Sequence, residues 1–158
     1  MSDSLYFTRS GLTKIREDIE KLEKRLQDLQ SQTAIVAEVG GDQWHDNSAY
    51  ESLVIDIRGV DRRLAELHRI LNAAKLVEPP TNVDKVTIGT KVKIICDGEV
   101  AMWEIVGFGE SEPDLNFIAY NTPLAAIIMG RCKGEIVKGK IAGCPVTIEV
   151  LEIARAFS

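Results

Sequence analysis

The chain has 158 residues, of which 45% are hydrophobic, and it carries a formal net charge of -5. This length suits one compact domain, or a small domain with an elongated element, and the acidic balance excludes a protein that mainly coats nucleic acid through phosphate contacts. No apolar run approaches the roughly 20 residues of a bilayer crossing and the start lacks a basic leader, so a cytoplasmic protein without membrane contact is expected.

Two long helices are predicted for the first half of the chain. Their apolar residues recur in alternating steps of three and four, the heptad spacing of a coiled coil. Proline interrupts neither run, and Thr8 is the predicted N-cap of the first helix. The first run is Leu12, Ile15, Ile19, Leu22, Leu26 and Leu29, and the second is Tyr50, Leu53, Ile57, Val60, Leu64, Leu67 and Leu71.

The two runs match as an antiparallel coiled-coil hairpin, because the numbers of facing residues sum to a constant. Ile19 with Leu67 gives 19 + 67 = 86, as do the pairs on either side, so the mirror point is Gln43. At about 1.5 Å rise per residue, the arm is on the order of 35–40 Å long. The predicted hairpin domain is 1–78, with its tip at 41–47.

A second, β-rich α+β domain is predicted for the rest of the chain. The second helix is expected to continue to Glu78, where Pro79-Pro80 stops it. A linker at 79–82 then leads into a domain at 83–158. The turn residues Asp97-Gly98 predict a hairpin. The predicted strands are Lys91 to Ile95, Glu99 to Val106, Leu115 to Tyr120 and Pro145 to Ile153.

A short helix is predicted between the last two of these strands. Thr122 is its cap, Pro123 occupies its first position, and Gly130 follows its end at Met129. The three cysteines have no Cys-x-x-Cys spacing, so they are expected to be reduced, buried thiols rather than zinc ligands. They are Cys96, Cys132 and Cys144.

The hairpin tip is strongly acidic. Between Arg25 and Arg58 there is no Lys or Arg. Gly, Asp and Asn at the mirror point are ordinary turn residues. A long arm that ends in uncompensated carboxylates, however, also suits a cation or a basic partner. The carboxylates of this interval are Asp28, Glu38, Asp42, Asp46, Glu51 and Asp56.

Several segments, in order, resemble the Gre family of bacterial transcription elongation factors, GreA and GreB. The tip resembles the family pattern Gly-Asp-x-x-Glu-Asn-x-x-Tyr. The start of the first helix and two segments of the second domain are also similar to the family. The segments are Phe7 to Ile15, then Gly41, Asp42, Asp46, Asn47 and Tyr50 at the tip, then Asn121 to Gly130 and Lys133 to Val137.

The resemblance implies a function for both domains. The C-terminal domain would have the family's FKBP-like fold and dock on RNA polymerase, with Asp114, Pro123, Met129 and Gly130 as candidate contacts. The coiled coil would enter the secondary channel of the polymerase and stimulate cleavage of backtracked RNA. The protein would bind no cofactor alone, and it would not itself be an enzyme.

The resemblance also implies roles at the tip. Asp42 and Asp46 would share a magnesium ion with the polymerase active site. Asn47 would shape the tip and Tyr50 would close the coiled-coil seam.

The tip departs from the family pattern in ways that keep a second function open. Three residues instead of two separate the acidic pair, and Asp46 stands where the family has Glu. Trp44 is interpreted as a docking anchor or as a side chain folded onto the hairpin, and His45 as a turn residue or a contact to RNA or polymerase. Basic residues near the family's tip are missing, as at Val54, so contact with the RNA 3′ end is expected to be indirect. A secondary-channel regulator or inhibitor that stimulates no cleavage is the alternative.

Other classes of protein fit less well. Too few aromatic residues are available to line a prolyl isomerase pocket, and two exposed carboxylates make a weak metal site without a partner, which disfavours a free-standing hydrolase. The basic residues lower on the helices are interpreted as a solvated face with ion pairs. A monomer is expected.

Overall fold

A computed structural model describes residues 4–40 and 48–156 of the chain. They form two compact units. The helical unit is Thr13–Ala73, and the C-terminal unit joins the residues up to Leu12 to those from Ala74 onward. The sequence predicts a domain boundary at 79–82, whereas the two units of the structure meet in the chain after Leu12 and after Ala73.

Two long helices form the helical unit. Helix α1 is Arg9–Gly40 and helix α2 is Ser48–Ala73. Steps of three and four between apolar residues give each helix one apolar stripe, and the two stripes pack together. The buried members of this helix–helix cluster are Ile19, Leu29, Val60, Leu64 and Leu67, and the partly buried members are Ile15, Leu22, Leu26, Leu53, Ile57 and Leu71. The two predicted helices and their apolar stripes are therefore present.

A short parallel strand pair lies at the ends of these helices. Strand β1, Leu5–Phe7, precedes α1 and pairs with β2, Ala74–Leu76, which follows α2. The Val77 N–H extends the ladder by donating to the Phe7 carbonyl oxygen at 2.8 Å. The Phe7 side chain is fully buried. The start of α1 and the end of α2 are thus joined through hydrogen-bonded backbone in the C-terminal unit.

The predicted extension of the second helix to Glu78 is wrong. The helix ends at Ala73, although Pro79 is the next residue that forbids helix. Beyond Ala73 the backbone hydrogen-bonds to β1 instead of continuing the helical ladder. Because this partner is almost 70 residues away, the local pattern did not reveal it.

The C-terminal unit is built on a five-stranded sheet with the order β5-β4-β3-β7-β6. Neighbouring strands are antiparallel except β4 and β5, which are parallel. Alternate side chains of β3 and β4 face the core, as in a sheet with one covered face. The strands are β3 Thr90–Cys96, β4 Glu99–Val106, β5 Phe117–Ala119, β6 Ile136–Ile141 and β7 Cys144–Arg155.

Three of the four predicted strands are confirmed within a few residues, and the fourth is half as long as predicted. The β3–β4 turn has the predicted positive φ angles, 49° at Asp97 and 88° at Gly98. The strand predicted from Leu115 begins only at Phe117, because Pro113–Leu115 is a 3-10 helix. The sequence did not predict β6.

The predicted short helix is confirmed as α3, Pro123–Ile128. Thr122 Oγ1 accepts a hydrogen bond from the Ala125 N–H at 3.4 Å, which caps the helix as expected. Ala125 and Ile128 are fully buried. Gly139 of β6 leaves space for α3, because a Cβ there would lie 2.8 Å from the Ile127 side chain.

The core of the C-terminal unit lies between α3 and one face of the sheet. Its buried members are Val86, Ile88, Val92, Ile94, Ile105, Ile118, Ala125, Ile128, Ile148 and Val150. The cysteines are free thiols, as predicted, but the prediction that they are buried is wrong. Cys144 is exposed beside the β6–β7 turn, and Cys96 and Cys132 are half-buried.

Candidate functional site

Most of the predicted hairpin tip lies outside the described residues. Gly41, Asp42, Trp44, His45, Asp46 and Asn47 all fall in the interval 41–47. Tyr50, the last tip residue of the family pattern, is half-buried in the first turn of α2. Glu51 also lies in that turn, where a carboxylate is stabilised by the positive end of the helix dipole.

The described residues nearest the tip carry negative charge at the surface. Asp28 of α1 and Glu51 and Asp56 of α2 are all exposed. Farther along α2, Arg58, Arg62, Arg63 and Arg69 are exposed as well. The charge of the helical unit therefore changes from acidic to basic with distance from the tip along α2.

Ion pairs occupy part of this basic region. Arg63 Nη1 lies 3.0 Å from Glu66 Oε2, and Lys24 Nζ lies 3.4 Å from Glu20 Oε1. The half-exposed His68 imidazole lies 3.8 Å from the Glu23 carboxylate. These contacts support the interpretation of a solvated helix face with ion pairs.

A shallow groove of about 390 Å³ interrupts this face. Gly59 lines the groove without a side chain, and a Cβ at this position would contact nothing within 4 Å. The Ile55 side chain beside it is 67% exposed. The groove is lined by Leu22, Arg25, Ile55, Asp56, Gly59, Val60 and Arg63.

The candidate docking residues lie on two elements of the C-terminal unit. Pro123 is exposed at the first position of α3. Met129 and Gly130 end the same helix, where Gly130 has a φ of 78° and its N–H donates to the Val86 carbonyl oxygen at 2.8 Å. The structure therefore places these three residues around one short helix.

Asp114 is exposed on the 3-10 helix Pro113–Leu115. Along the chain, β5 lies between that helix and α3, and β5 pairs with β4 at the edge of the sheet. The backbone in this region is fixed by hydrogen bonds, such as that from the Glu104 N–H to the Asn116 carbonyl oxygen at 2.8 Å. Asp114 is thus presented to solvent from a well-anchored turn.

Two titratable groups of the C-terminal unit have shifted pKa values. Burial raises the pKa of the Glu104 carboxyl, and Lys91 on the paired strand acts in the opposite direction. Burial, with the nearby carboxylates of Asp97 and Glu99, raises the pKa of the Cys96 thiol. Neither group is a predicted site residue, and a thiol with a raised pKa is a poor nucleophile at neutral pH.

A polar cluster at the start of α1 was not predicted from the sequence. Thr8 was predicted as the helix cap without a hydrogen-bond partner of its own. In the structure, Glu110 accepts a hydrogen bond from the Thr8 N–H. These residues are 102 positions apart. The glycines at 11 and 107 beside them were a possible signal, because both would bring a side chain into contact with Glu110.

Comparison with known proteins decides the family. The family model described as transcription elongation factor GreA/GreB, C-terminal, matches residues 80–155. The chain is 31% identical over 149 residues to the transcription elongation factor GreA of Nitratiruptor sp., which covers 92% of this chain and 90% of that protein. The chain belongs to the GreA/GreB family. The GreA of Thermotoga neapolitana is 30% identical over 92% of this chain and 94% of its own length.

Membership in the GreA/GreB family, which the sequence motifs indicated, is thus confirmed. The similarity to the GreA proteins extends over nearly the whole chain and not only over the C-terminal unit. Among solved structures, GreA factor homolog 1 of Thermus thermophilus is 20% identical with a TM-score of 0.45, covering 96% of this chain and 99% of that one.

The described residues contain neither a metal-binding cluster nor a membrane-spanning helix. Within 4–40 and 48–156, no cluster of three or more His, Cys, Asp or Glu side chains is arranged to hold a metal ion. In the same ranges, no helix has the length and apolar character that a membrane span requires.

Proposed function

We propose that this protein is a transcription elongation factor that binds bacterial RNA polymerase, inserts its two helices into the secondary channel and stimulates cleavage of backtracked RNA. The observation that carries the proposal is the similarity to GreA proteins over 92% of the chain. The charge pattern of the helical unit supports it, since an acidic end on a long helix pair is suited to reach an active site that holds metal ions. The protein acts in the cytoplasm, where its partner is found.

The two helices act as an antiparallel coiled-coil hairpin. Helix α1 has 32 residues and α2 has 26, so each is about 40–50 Å long at 1.5 Å per residue. All members of the helix–helix cluster except Leu53, which the constant sum of 86 pairs with Thr33, are paired with one another by that sum, which supports the antiparallel register. A paired arm is stiffer than a single helix and holds its tip at a defined distance from its base.

The C-terminal unit is the docking domain, with an FKBP-like fold. Pro123, Met129 and Gly130 around α3, together with Asp114, are the proposed contacts to polymerase. Their exposure or partial exposure on hydrogen-bonded turns supports this role. A docking surface on anchored backbone loses little conformational freedom on binding.

The acidic tip supplies ligands rather than a complete active site. The carboxylates of Asp42 and Asp46 fit magnesium, because this ion prefers oxygen ligands and commonly takes one or two carboxylates while other groups complete its shell. In the polymerase active site, a second metal ion would supply the chemistry, because such an ion can activate water and stabilise a leaving oxygen. Asp42 and Asp46 would hold that ion, with Asn47 and Tyr50 fixing the tip. The protein is therefore not an enzyme by itself, and its contact with the RNA 3′ end is indirect.

A second candidate function is favoured by one observation, the altered tip. Its acidic pair is separated by three residues and ends in the shorter Asp46, and no Lys or Arg lies between Arg25 and Arg58. A misplacement of about 1 Å costs on the order of 100-fold at a positioned catalytic site. Such a tip would still enter the channel but would modulate or inhibit transcription without cleavage.

A cleavage assay on stalled, backtracked elongation complexes tests the proposal. The monomeric protein should accelerate RNA cleavage, and the Asp42→Asn/Asp46→Asn variant should lose at least about 100-fold of this acceleration. The variant should bind polymerase as the wild type does. Asp61→Asn/Asp84→Asn is the matched control, because it removes the same charge from exposed positions outside the acidic interval.

Each result of this assay selects one function. Wild-type acceleration that only the tip variant loses supports the cleavage factor. Binding without acceleration, combined with slower elongation, establishes the inhibitor instead. Equal acceleration by the tip variant and the wild type rules out the proposed role of Asp42 and Asp46.

A further inference from the structure

One face of the short strand pair β1–β2 carries an exposed tyrosine beside a lysine. Tyr6 and Lys75 are direct partners in the parallel ladder. Because side chains alternate along a strand, both lie on the face opposite the one on which Phe7 is buried. Tyr6 is 37% exposed, and Lys75 is exposed as well. Among the described residues, no carboxylate lies within ion-pair distance of Lys75.

A second tyrosine, from the end of β5, completes this face. The Tyr6 and Tyr120 rings meet edge to face, with their centroids 5.6 Å apart. The Tyr6 N–H also donates to the Tyr120 hydroxyl oxygen at 3.3 Å. Tyr120 is half-buried and packs against the core of the C-terminal unit. Tyr6, Lys75 and Tyr120 therefore form one surface within the C-terminal unit, called here the tyrosine face.

Backbone hydrogen bonds hold the tyrosine face in place. The Tyr6 carbonyl oxygen accepts from the Phe108 N–H at 2.7 Å. The Tyr120 N–H donates to the Val106 carbonyl oxygen at 3.0 Å. Both tyrosines are thus ordered before any partner arrives. An ordered surface loses little conformational freedom on binding, which favours a role in recognition.

The tyrosine face continues toward Pro123, one of the proposed contacts to polymerase. Tyr120 is three positions before Pro123, which keeps their Cα atoms within roughly 11 Å of each other. The turn between them is closed by the Thr122 N–H, which donates to the Ala119 carbonyl oxygen at 3.1 Å. A partner that docks on the exposed Pro123 can therefore reach Tyr120 and, beside it, Tyr6.

The chemistry of the tyrosine face indicates what kind of partner fits it. A tyrosine ring offers apolar area together with a polar edge, and tyrosine is enriched among the residues that dominate protein interfaces. Lys75 adds a positive charge that no described carboxylate neutralises. The complement of this face is a protein segment that carries a carboxylate beside apolar side chains. The carboxylate would meet Lys75, and the apolar side chains would pack on the two rings.

We propose that the tyrosine face binds an acidic segment of RNA polymerase and extends the docking surface from Pro123 to β1. The inference rests on the proposed function, because that function makes polymerase the partner. The tyrosines lose water on contact and slow dissociation of the complex. The exposed Lys75 attracts the acidic segment and speeds association, as charges at the rim of an interface do.

Binding kinetics of the full chain with polymerase core enzyme free of nucleic acid test the proposal. Tyr6→Ala should raise the dissociation rate at least about tenfold, because truncating a central aromatic side chain removes contacts made only in the complex. Lys75→Glu should lower the association rate at least about threefold at low salt. This second effect should shrink at an ionic strength of about 1 M, where the screening length is roughly 3 Å.

Two control variants make matched changes elsewhere in the C-terminal unit. Met102→Ala truncates a side chain that is 46% exposed on β4, and Lys140→Glu reverses the charge of an exposed lysine on β6. Both controls should bind with wild-type rates. Tyr6→Phe keeps the ring and should recover slow dissociation. Lys75→Glu changes an exposed side chain, so it tests the proposal even if Tyr6→Ala fails to fold.

The possible results separate this inference from the proposed function. Wild-type rates in Lys75→Glu and in folded Tyr6→Ala would overturn the tyrosine face, as would equal effects of the two controls. A defect seen only when the complex contains RNA would assign the face to nucleic acid, and dimers of the free protein that both variants abolish would assign it to a second copy. Either result overturns the proposal.

The wild type is measured in the cleavage assay alongside these variants. Weaker binding by both variants, with no cleavage stimulated by the wild type, would support the tyrosine face and overturn the cleavage function. Wild-type protein that does not bind polymerase at all would overturn both.

Discussion

At the scale of single residues, Gly107 shows how tightly the loop after β4 packs against β1. A Cβ at this position would lie 2.7 Å from the Phe7 Cα and 2.8 Å from the Tyr6 carbonyl oxygen, and both of these are backbone atoms that cannot rotate away. We expect Gly107→Ala to lower the free energy of unfolding by about 1–3 kcal/mol, as overpacking does. Chemical denaturation followed by circular dichroism measures the change.

Gly59→Ala is the control for this substitution. Gly59 lies inside α2, and a Cβ there would meet nothing within 4 Å. Alanine should raise the free energy of unfolding by roughly 0.5–1 kcal/mol, because glycine is unfavourable in a helix interior. Stabilisation by Gly107→Ala as well would show that the loop after β4 is loosely packed against β1.

Glu104 provides a prediction of pH dependence. Burial raises the pKa of its carboxyl in the folded state, so the folded protein favours the protonated form. The contribution of Glu104 to stability is therefore fully present below the unfolded-state pKa and is lost as the pH rises through the folded-state pKa. Glu104→Gln should raise the melting temperature at pH 7, and the gain should disappear on acidification below about pH 4.

Melting curves of the two proteins at pH 7 and pH 3.5 check this expectation. Glu99→Gln is the control, because Glu99 is exposed at the beginning of the same strand. A larger gain at pH 3.5 than at pH 7 would reverse the sign and contradict the argument.

Residue roles were predictable where the partner is close in sequence. Thr122 caps α3 through a residue three positions away, and Asp97-Gly98 forms its turn from its own φ angles, so local chemistry was sufficient for both. Thr8 was recognised as a cap for the same reason. Glu110 was not recognised as its partner, because nothing in a local pattern connects residues 102 positions apart.

At the scale of elements, the helix–helix cluster is the main source of stability in the helical unit. Leu67, a buried member of this cluster, is 3% exposed, whereas Ile55 on the same helix is 67% exposed. We expect Leu67→Ala to lower the free energy of unfolding by about 2–5 kcal/mol, since it leaves a cavity in a packed seam. Ile55→Ala should change it by less than about 0.5 kcal/mol.

Chemical denaturation of both variants, followed by the circular dichroism signal of the helices, measures how much the helix–helix cluster contributes to stability. Similar costs for the two substitutions would mean that the stripes of α1 and α2 do not form a common core.

Elements with strong periodicity were predicted well, and elements defined by a distant partner were not. Helices α1 and α2 carry long apolar repeats, and β3, β4 and β7 are rich in Val and Ile. Strand β2 has only three residues, Ala74–Leu76, and exists through its pairing with β1. Strand β6 lies at the sheet edge, alternates exposed lysines and contains Gly139, so it lacks the apolar signal of the inner strands.

At the scale of the whole molecule, the sequence predicted two parts with different periodicities but placed their boundary differently. It used the Pro79-Pro80 pair as the division. In the structure, the C-terminal unit contains β1, β2 and the first residues of α1, whereas α2 ends in the helical unit at Ala73. Proline marks where a helix must stop, but tertiary pairing decided where this one does stop.

The proposed docking residues carry a testable prediction at this scale. Asp114 and Pro123 are exposed on separate turns of the C-terminal unit, and neither belongs to its buried core. We expect Asp114→Ala/Pro123→Ala to weaken binding to RNA polymerase at least about tenfold, a loss of roughly 1.4 kcal/mol. The melting temperature of the free protein should not change. Titration of labelled protein with polymerase core enzyme measures the affinity.

The matched control is Asp84→Ala/Pro145→Ala, which removes the same two residue types from other exposed positions of the C-terminal unit. If only the first pair weakens binding, the loss belongs to a defined surface and not to the charge or to the backbone. Equal affinity of the two double variants would move the docking surface away from α3 and the 3-10 helix. Because affinity is measured without cleavage, this outcome would leave the proposed action of the tip unaffected.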